Sequence, residues 1–297
     1  MKTILVIGGR TTDIGESAVM AQYADYFVEG VEGASASFAH FDELSFVIAP
    51  GRFTIRDHRN QRELKEYDLI IFRGKIRANS ELAYCVSRYC TRNSITFFND
   101  YTPYRPSSKV SQAVTFHELG VAFTKTVYAM DATILRQVVE AELSVPFIVK
   151  DSYGSHGNDN YLVQSASELE TILSKSPDKK FIVQDFFPND CDYRVLCVGE
   201  KSFIIRRTSS GDSHLNNTSQ GGRAEIVDIG FFPPESIRQA HTIARELRMG
   251  IAGVDLLYND KTGEYAFLEV NSQPQLNSGA FPDEKQRVVR QFIESLL

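Results

Sequence analysis

Three oxygen-bearing side chains near the end of this 297-residue sequence, Asp255, Glu269 and Asn271, have the types and spacing of a hard-metal site. Asp255 lies in the run Gly253-Val254-Asp255-Leu256-Leu257-Tyr258, and Glu269 and Asn271 close a second run that begins at Tyr265. Between them Asn259-Asp260-Lys261-Thr262-Gly263 is strong turn chemistry, which predicts a β-hairpin. A turn centred near Thr262 sets Asp255 opposite Glu269. Residues i and i+2 of a strand share a face, so Glu269 and Asn271 project together. Two carboxylates and an amide oxygen, without His or Cys, suit Mg²⁺. Magnesium keeps positions open for phosphate oxygens, so a nucleotide is implied. The competing reading makes Asp255 and Glu269 solvated residues on an exposed strand face. Against it, Leu256, Leu257, Phe267, Leu268 and Val270 make both strands apolar, and a buried pair of like charges is costly without a cation between them.

Phosphates need cations and donors. Lys150 ends an apolar run directly before Gly154-Ser155-His156-Gly157, a loop whose backbone amides could approach phosphate oxygens closely. It is neither a Walker A sequence nor a GxGxxG fingerprint. Lys109 opens a predicted helix and is the second candidate. Each lysine, and His156, taken singly reads more readily as a surface residue. Arg73, Lys75 and Arg77 follow an apolar strand, at the end where α/β proteins bind ligands. They either bind a substrate carboxylate or lie in a solvated loop. No Ser/His/Asp or Cys/His arrangement offers a protein nucleophile. Cys85, Cys90, Cys191 and Cys197 have no CxxC spacing and read as reduced thiols rather than a zinc or disulfide framework.

The elements that must position these groups fall into two kinds. Apolar runs at 4–7, 68–72 and 94–98, alternating with predicted helices at 15–28 and 81–89 and polar loops, imply a parallel α/β layer. A Pro-, Tyr- and Ser-rich stretch at 101–108 marks a boundary. Beyond it come helices at 109–119 and 130–143, strands at 146–150, 161–163 and 181–184, and a helix at 167–173 with Ser167 as its N-cap. A hairpin turns at Gly199-Glu200, 209–222 is a mobile polar loop, and a helix at 235–249 closes at Gly250. The 42% hydrophobic content supports real cores, and 32 basic against 38 acidic residues leave a net charge of −6. That balance argues against a nucleic-acid binder. No apolar run reaches the roughly 18 residues of a membrane span, and the first residues lack a signal-peptide core. A cytoplasmic protein is expected.

The ordered set Lys109, Lys150 with Gly-Ser-His-Gly, Gln184-Asp185-Phe186, Asp192-Tyr193-Arg194, Arg206-Arg207, Asn217 with Gly221-Gly222, Gly-Val-Asp-Leu-Leu and Leu-Glu-Val-Asn-Ser-Gln-Pro resembles the ATP-grasp superfamily, and within it the RimK-like branch of carboxylate–amine ligases. The resemblance runs from about Asn99 to Leu276. It implies an α/β fold, α+β in the C-terminal part: a small Rossmann-like pre-ATP-grasp domain over 1–98, a central lobe with the glycine-rich lid over 99–184, and a lobe with the metal site over 185–297. It further implies that Lys109 and Lys150 contact ATP phosphates and that Gly154, Ser155 and Gly157 close over them. Gln184, Asp185 and Phe186 would hold adenine, and Asp192 the ribose. Arg194, Arg207 and Asn217 would face the γ-phosphate and an acyl phosphate, and Asp255, Glu269 and Asn271 would hold two Mg²⁺ ions, with Mn²⁺ able to substitute. Two positions depart from the family pattern: Asp185 stands where Glu is usual, and Leu215 where an Arg often precedes the Asn.

The expected activity is ATP- and Mg²⁺-dependent amide formation through an acyl phosphate, joining an amino acid or peptide carboxylate to an amine. Partners are then ATP and those substrates, with no nucleic acid and no membrane, and a homo-oligomer is compatible. One alternative is a ribosomal-peptide-modifying macrocyclase of the same superfamily, against which the compact N-terminal region counts. The other is a nucleotide-binding regulatory protein without turnover, which would be expected to have a broken metal triad.

Overall fold

A computed structural model describes residues 1–10, 16–103, 108–154, 159–189, 191–208 and 223–297. Ser155, Gly157, Asn217 and the loop expected to be mobile at 209–222 lie outside the described residues, as do His156 and Leu215. The chain begins with β1 (Lys2–Gly8), whose Ile4 to Ile7 are fully buried, followed by α1 (Glu16–Val28) and β2 (Ala34–His40). Next come β3 (Leu44–Ala49), β4 (Arg52–Asp57) and β5 (Arg62–Glu63), then β6 (Leu69–Phe72), α2 (Ser80–Arg92) and β7 (Thr96–Phe98). Strands β2-β1-β6-β7 form a sheet in that order, and every pairing in it is parallel. The buried apolar runs read from the sequence are its centre. Strands β3, β4 and β5 form a separate antiparallel sheet where only polar loop was expected. Its sequence signal is Pro50-Gly51 between two strand-like runs.

The rest of the chain builds two more sheets. After α3 (Lys109–Glu118) come β8 (Thr126–Tyr128), α4 (Ala132–Glu142), β9 (Phe147–Asp151), β10 (Asn160–Val163), α5 (Ala166–Lys175) and β11 (Phe181–Asp185). The sheet order is β10-β9-β11-β8, all antiparallel, and Val127, Leu135, Val149, Leu169 and Val183 form the core beneath it. The N-cap of helix α5 lies two residues earlier than expected. Ser165, not Ser167, is its N-cap and accepts the Glu168 amide, while the Ser167 hydroxyl lies in the first turn 3.0 Å from that of Ser165.

The last sheet comprises β12 (Asp192–Val198), β13 (Lys201–Thr208), β14 (Arg223–Val227), β15 (Ile251–Tyr258) and β16 (Tyr265–Asn271), in the order β14-β13-β12-β15-β16. Helix α6 (Pro234–Glu246) lies between β14 and β15 in sequence, and α7 (Pro282–Leu296) follows β16. One face of this sheet is apolar: Tyr193, Val195, Val254, Leu256, Phe267 and Val270 pack with α6 and with Phe116 of α3. Burying a phenylalanine such as Phe116 or Phe267 contributes about 2–3 kcal/mol. The opposite face divides. Leu196, Val198 and Ile251 pack against β1, α1 and α7, and the remainder carries charge.

Candidate functional site

Alternation along β12 decides which residues form the charged face. Tyr193 and Val195 enter the apolar core, so Asp192 and Arg194 point the other way. Cross-strand register then brings charges together: Asp192 pairs with Arg207 of β13, Arg194 with Asp255 of β15, and Asp255 with Glu269 of β16. The expected juxtaposition of Asp255 and Glu269 is present, but the turn alone does not produce it. Tyr258 pairs with Tyr265 and Leu256 with Phe267, and an irregularity between Asp255 and Leu256 then skips Leu268. This bulge turns Glu269 and Asn271 to the charged face and leaves Phe267 and Val270 in the core. The Phe267 amide bonds Ala122 O at 2.8 Å, in the segment after α3.

Asp255 is the hub of the face. Its carboxylate accepts a fork from Arg194 (Nε to Oδ1 2.7 Å, Nη2 to Oδ2 2.8 Å), and Arg207 Nη2 lies 3.2 Å from Oδ2. Burial pushes the acid up, but the two guanidiniums outweigh it and hold Asp255 at about 2. Asp192 accepts from Arg207 Nε at 2.5 Å, yet burial, reinforced by the Asp255 charge, raises it to about 6. Arg207 is buried, and its two carboxylates outweigh that burial and hold it above its ordinary value. Gly253 makes room for this fork: a Cβ there would sit 3.3 Å from Arg194 Cδ and Nε and 3.1 Å from Pro274 Cβ.

The cationic half comes from the β8–β11 sheet. Val149 and Val183 enter its core, so Lys150 and Gln184 project from the other face. Lys150 Nζ donates to Gln184 Oε1 at 3.0 Å, and the Gln184 amide in turn donates to Thr126 Oγ1 at 2.8 Å. Burial lowers Lys150 to about 8. Glu269 opposes that shift, and Lys109 reinforces it. Lys109 is the first residue of α3. Its amide bonds Ser152 O, its ammonium bonds Gly154 O at 2.5 Å, and the Ser108 hydroxyl caps the helix. Asp185 ends β11 with its amide on Lys125 O, and Phe186 follows, half-buried.

Arg73 resolves the choice left by the sequence in an unexpected way. It is buried, its Nη2 donates to Pro274 O at 2.6 Å, and its guanidinium lies 4.8 Å from the Tyr23 ring centre. Arg77 lies over Tyr153, 5.3 Å from its ring centre. The Gly74 amide donates to Gln273 Oε1 and Asn99 Nδ2 to Ser272 O. The parallel layer therefore grips the segment that leaves Asn271. Sequence reasoning also passed over Lys285 of α7, which is buried with Nζ on Ser278 O at 2.9 Å and is lowered to about 8 by burial and by Arg194. The signal was available: Pro282 at a helix start, then Lys285, Val289 and Ile293 along one buried stripe.

Among the described residues no three His, Cys, Asp or Glu side chains gather as a metal cluster. The triad here is two carboxylates and an amide. Its donor chemistry fits magnesium, since Asp255 retains acceptor capacity beyond its three N–H contacts.

The sequence profile of the RimK-like ATP-grasp domain matches residues 109–295. The chain belongs to the RimK-like ATP-grasp family. Among its relatives, a probable alpha-L-glutamate ligase 2 from Hahella chejuensis is 30% identical over 162 residues, 53% of this chain and 52% of that protein. This RimK-like chain thus matches about half the length of that curated relative. A RiPP-associated ATP-grasp ligase from Chryseobacterium gregarium, solved with ADP and a leader and core peptide, superposes with a TM-score of 0.68 at 15% identity, covering 100% of this chain and 96% of its own. The ATP-grasp ligase PsnB, solved with a phosphomimetic variant of its minimal precursor, Mg and ADP, gives a TM-score of 0.68 at 14% identity, covering 97% and 98%. The fold is that of ATP-grasp ligases. Both alignments extend over nearly the whole of each chain, the N-terminal region included.

Proposed function

We propose that this RimK-like chain is an ATP-dependent carboxylate–amine ligase. The observation that supports the reading is the shared face carrying Asp255, Glu269, Asn271, Arg194 and Arg207, with the half-buried Lys150 close enough to feel the Glu269 charge. Lys109 and Lys150 bind the ATP phosphates, with the loop from Gly154 covering them. Gln184, Asp185 and Phe186 hold the base and Asp192 the ribose. A division at 1–98, 99–184 and 185–297 serves this reading, with two lobes closing on the nucleotide from either side.

A carboxylate oxygen of the acid substrate attacks the γ-phosphorus, the bond to the β,γ-bridging oxygen breaks, and ADP leaves. The amine nitrogen then attacks the acyl carbon, phosphate departs with the C–O electron pair, and the nitrogen loses its proton. Arg194 and Arg207 supply positive charge where phosphoryl charge develops, and Lys150 holds the transferred group in line. Asp255, Glu269 and Asn271 would hold Mg²⁺, which neutralises phosphate charge when bound. No protein nucleophile is required.

The test is ADP release in Mg²⁺ with panels of carboxylates and amines. Glu269→Ala should lower stimulated turnover at least about 100-fold. Unchanged turnover in that variant removes the metal-site assignment. ATP binding with no stimulation by any acceptor favours a regulatory protein. A second reading, peptide macrocyclisation, gains support from the end-to-end likeness to the peptide-bound ligases. Loss of one water from a peptide containing both Glu and Lys, with no amine added, distinguishes it from amino-acid addition.

A further inference from the structure

Strand β16 is an edge of its sheet, and its strand partner among the described residues is β15. The irregularity that skips Leu268 breaks that pairing beside Glu269. The turn at 259–263 therefore does not by itself keep Glu269 and Asn271 in register. A slip of one residue would carry both side chains to the core face and Val270 to the charged face. The open edge of a strand also presents N–H and C=O groups that need partners once buried, and Val270 is buried.

Helix α3 supplies what that edge lacks. Lys109, Gln112 and Phe116 stand at i, i+3 and i+7 and form one stripe of the helix. Phe116 lies in the apolar core with its ring centre 6.2 Å from that of Phe267. Gln112, one turn nearer the start of the helix, is buried. Its Nε2 donates to Val270 O at 3.1 Å, and its Oε1 accepts from the Val270 amide at 3.0 Å. The side-chain amide thus takes the place of a neighbouring strand at the one residue that separates Glu269 from Asn271. Before the bulge, the Phe267 amide bonds Ala122 O and Phe123 bridges Phe267. Helix α3 and the segment after it therefore bracket the bulge. Lys109, at the start of the same helix, sends its ammonium to the glycine loop at Gly154 O.

We propose that Gln112 is a positioning residue: its two bonds to Val270 set where Glu269 and Asn271 stand relative to Lys109. The inference rests on the ligase reading, in which Lys109 meets the ATP phosphates and Glu269 and Asn271 would hold Mg²⁺. A cation bound by that face and by a phosphate tolerates little change in the spacing, because magnesium demands near-ideal octahedral geometry. Groups that hold metal ligands in place contribute roughly 10–100-fold to metal affinity. Gln112 acts through the Val270 backbone and not on the metal itself.

The experiment measures Mn²⁺ binding to the full chain with saturating ADP, by loss of the free Mn²⁺ EPR signal. ADP binding in EDTA is measured beside it by calorimetry. Gln112→Met keeps the length of the side chain and removes both hydrogen bonds. It should weaken Mn²⁺ binding about tenfold or more and leave ADP affinity in EDTA within about twofold of wild type. Val86→Ala, in the buried core of the parallel layer, controls for lowered stability and should leave Mn²⁺ affinity unchanged. If Gln112→Met fails to fold, Gln112→Asn, which retains the amide but not its reach, should weaken Mn²⁺ in the same direction. Unchanged Mn²⁺ affinity in the Gln112 variants, while Glu269→Ala lowers it, overturns the positioning role and keeps the metal ligands. Equal weakening in Val86→Ala ties the effect to stability and overturns the role as well. Mn²⁺ affinity that Glu269→Ala leaves intact removes the metal assignment, and the role of Gln112 falls with it. Mn²⁺ binding that follows Gln112 while no acid and amine panel stimulates ADP release keeps the role and removes the ligase reading.

Discussion

At the scale of single residues, Lys150 and Asp255 show opposite solutions to burying charge. Asp255 is compensated twice, by Arg194 and Arg207, and stays ionised down to about pH 2. Among the described residues Lys150 has only an amide oxygen as a hydrogen-bond partner, and burial lowers it to about 8 from 10.5. The native protein therefore binds fewer protons than the unfolded chain between those values, and stability should rise with pH through that window. Below it, the half-buried ammonium is held at a cost to stability. Lys150→Met should accordingly raise the urea midpoint of the nucleotide-free protein at pH 7, with the advantage over wild type shrinking as pH rises from 8 to 10.5. The same variant should lose ATP binding, and wild-type ATP affinity should fall as pH passes about 8. A variant that binds ATP normally, or is destabilised at pH 7, would show that Lys150 is not a phosphate cation held at a stability cost.

At the scale of elements, the hairpin proposed to hold the metal was legible because its signals are local: two apolar runs, turn residues between them, and acids at fixed positions. Its register was not legible in the same way. The turn pairs Tyr258 with Tyr265, and Asp255 meets Glu269 only because a bulge skips Leu268, next to a backbone bond from Phe267 to Ala122 far away in sequence. The Arg194–Asp255 fork was likewise out of reach, since it depends on how β12 and β15, separated by α6, come to lie side by side. Gly253 carries the trace of that fork. A methyl there enters a space where Arg194 and Pro274 stand 3.1–3.3 Å away, so the guanidinium must shift by a few tenths of an ångström. Gly253→Ala should lower kcat of the ATP-dependent reaction about tenfold while reducing stability by only about 1 kcal/mol. Steady-state kinetics beside a urea titration separates the two effects. Equal kcat in both proteins would mean that Arg194 does not need its present position.

At the scale of the whole molecule, the parallel layer is tied to the site through the segment after Asn271. Arg73 reaches Pro274 O, the Gly74 amide reaches Gln273 and Asn99 reaches Ser272 O, while α7 packs on α1 and shares a core with β1 and β12. Lys109 and Lys150, the phosphate cations of the proposed function, belong to α3 and β9, which these bonds do not touch. Helix α3 has its own tie to β16, where the Gln112 side-chain amide and the Val270 backbone bond each other in both directions at 3.1 and 3.0 Å. On the proposed function the two lysines therefore do not depend on the Arg73, Gly74 and Asn99 bonds. Arg73→Met keeps much of the buried stem and its packing against Tyr23 but removes the donor to Pro274 O. The segment that bears Gln275 and leads to Lys285 then loses one of its anchors, whereas the lysines keep theirs. ADP affinity measured by calorimetry should stay within about twofold of wild type, and kcat should fall about tenfold or more, because small misplacements at a reacting centre are costly in rate. Equal losses in ADP binding and turnover would instead place Arg73 in a general stabilising role, with no separate coupling between the parallel layer and the charged face.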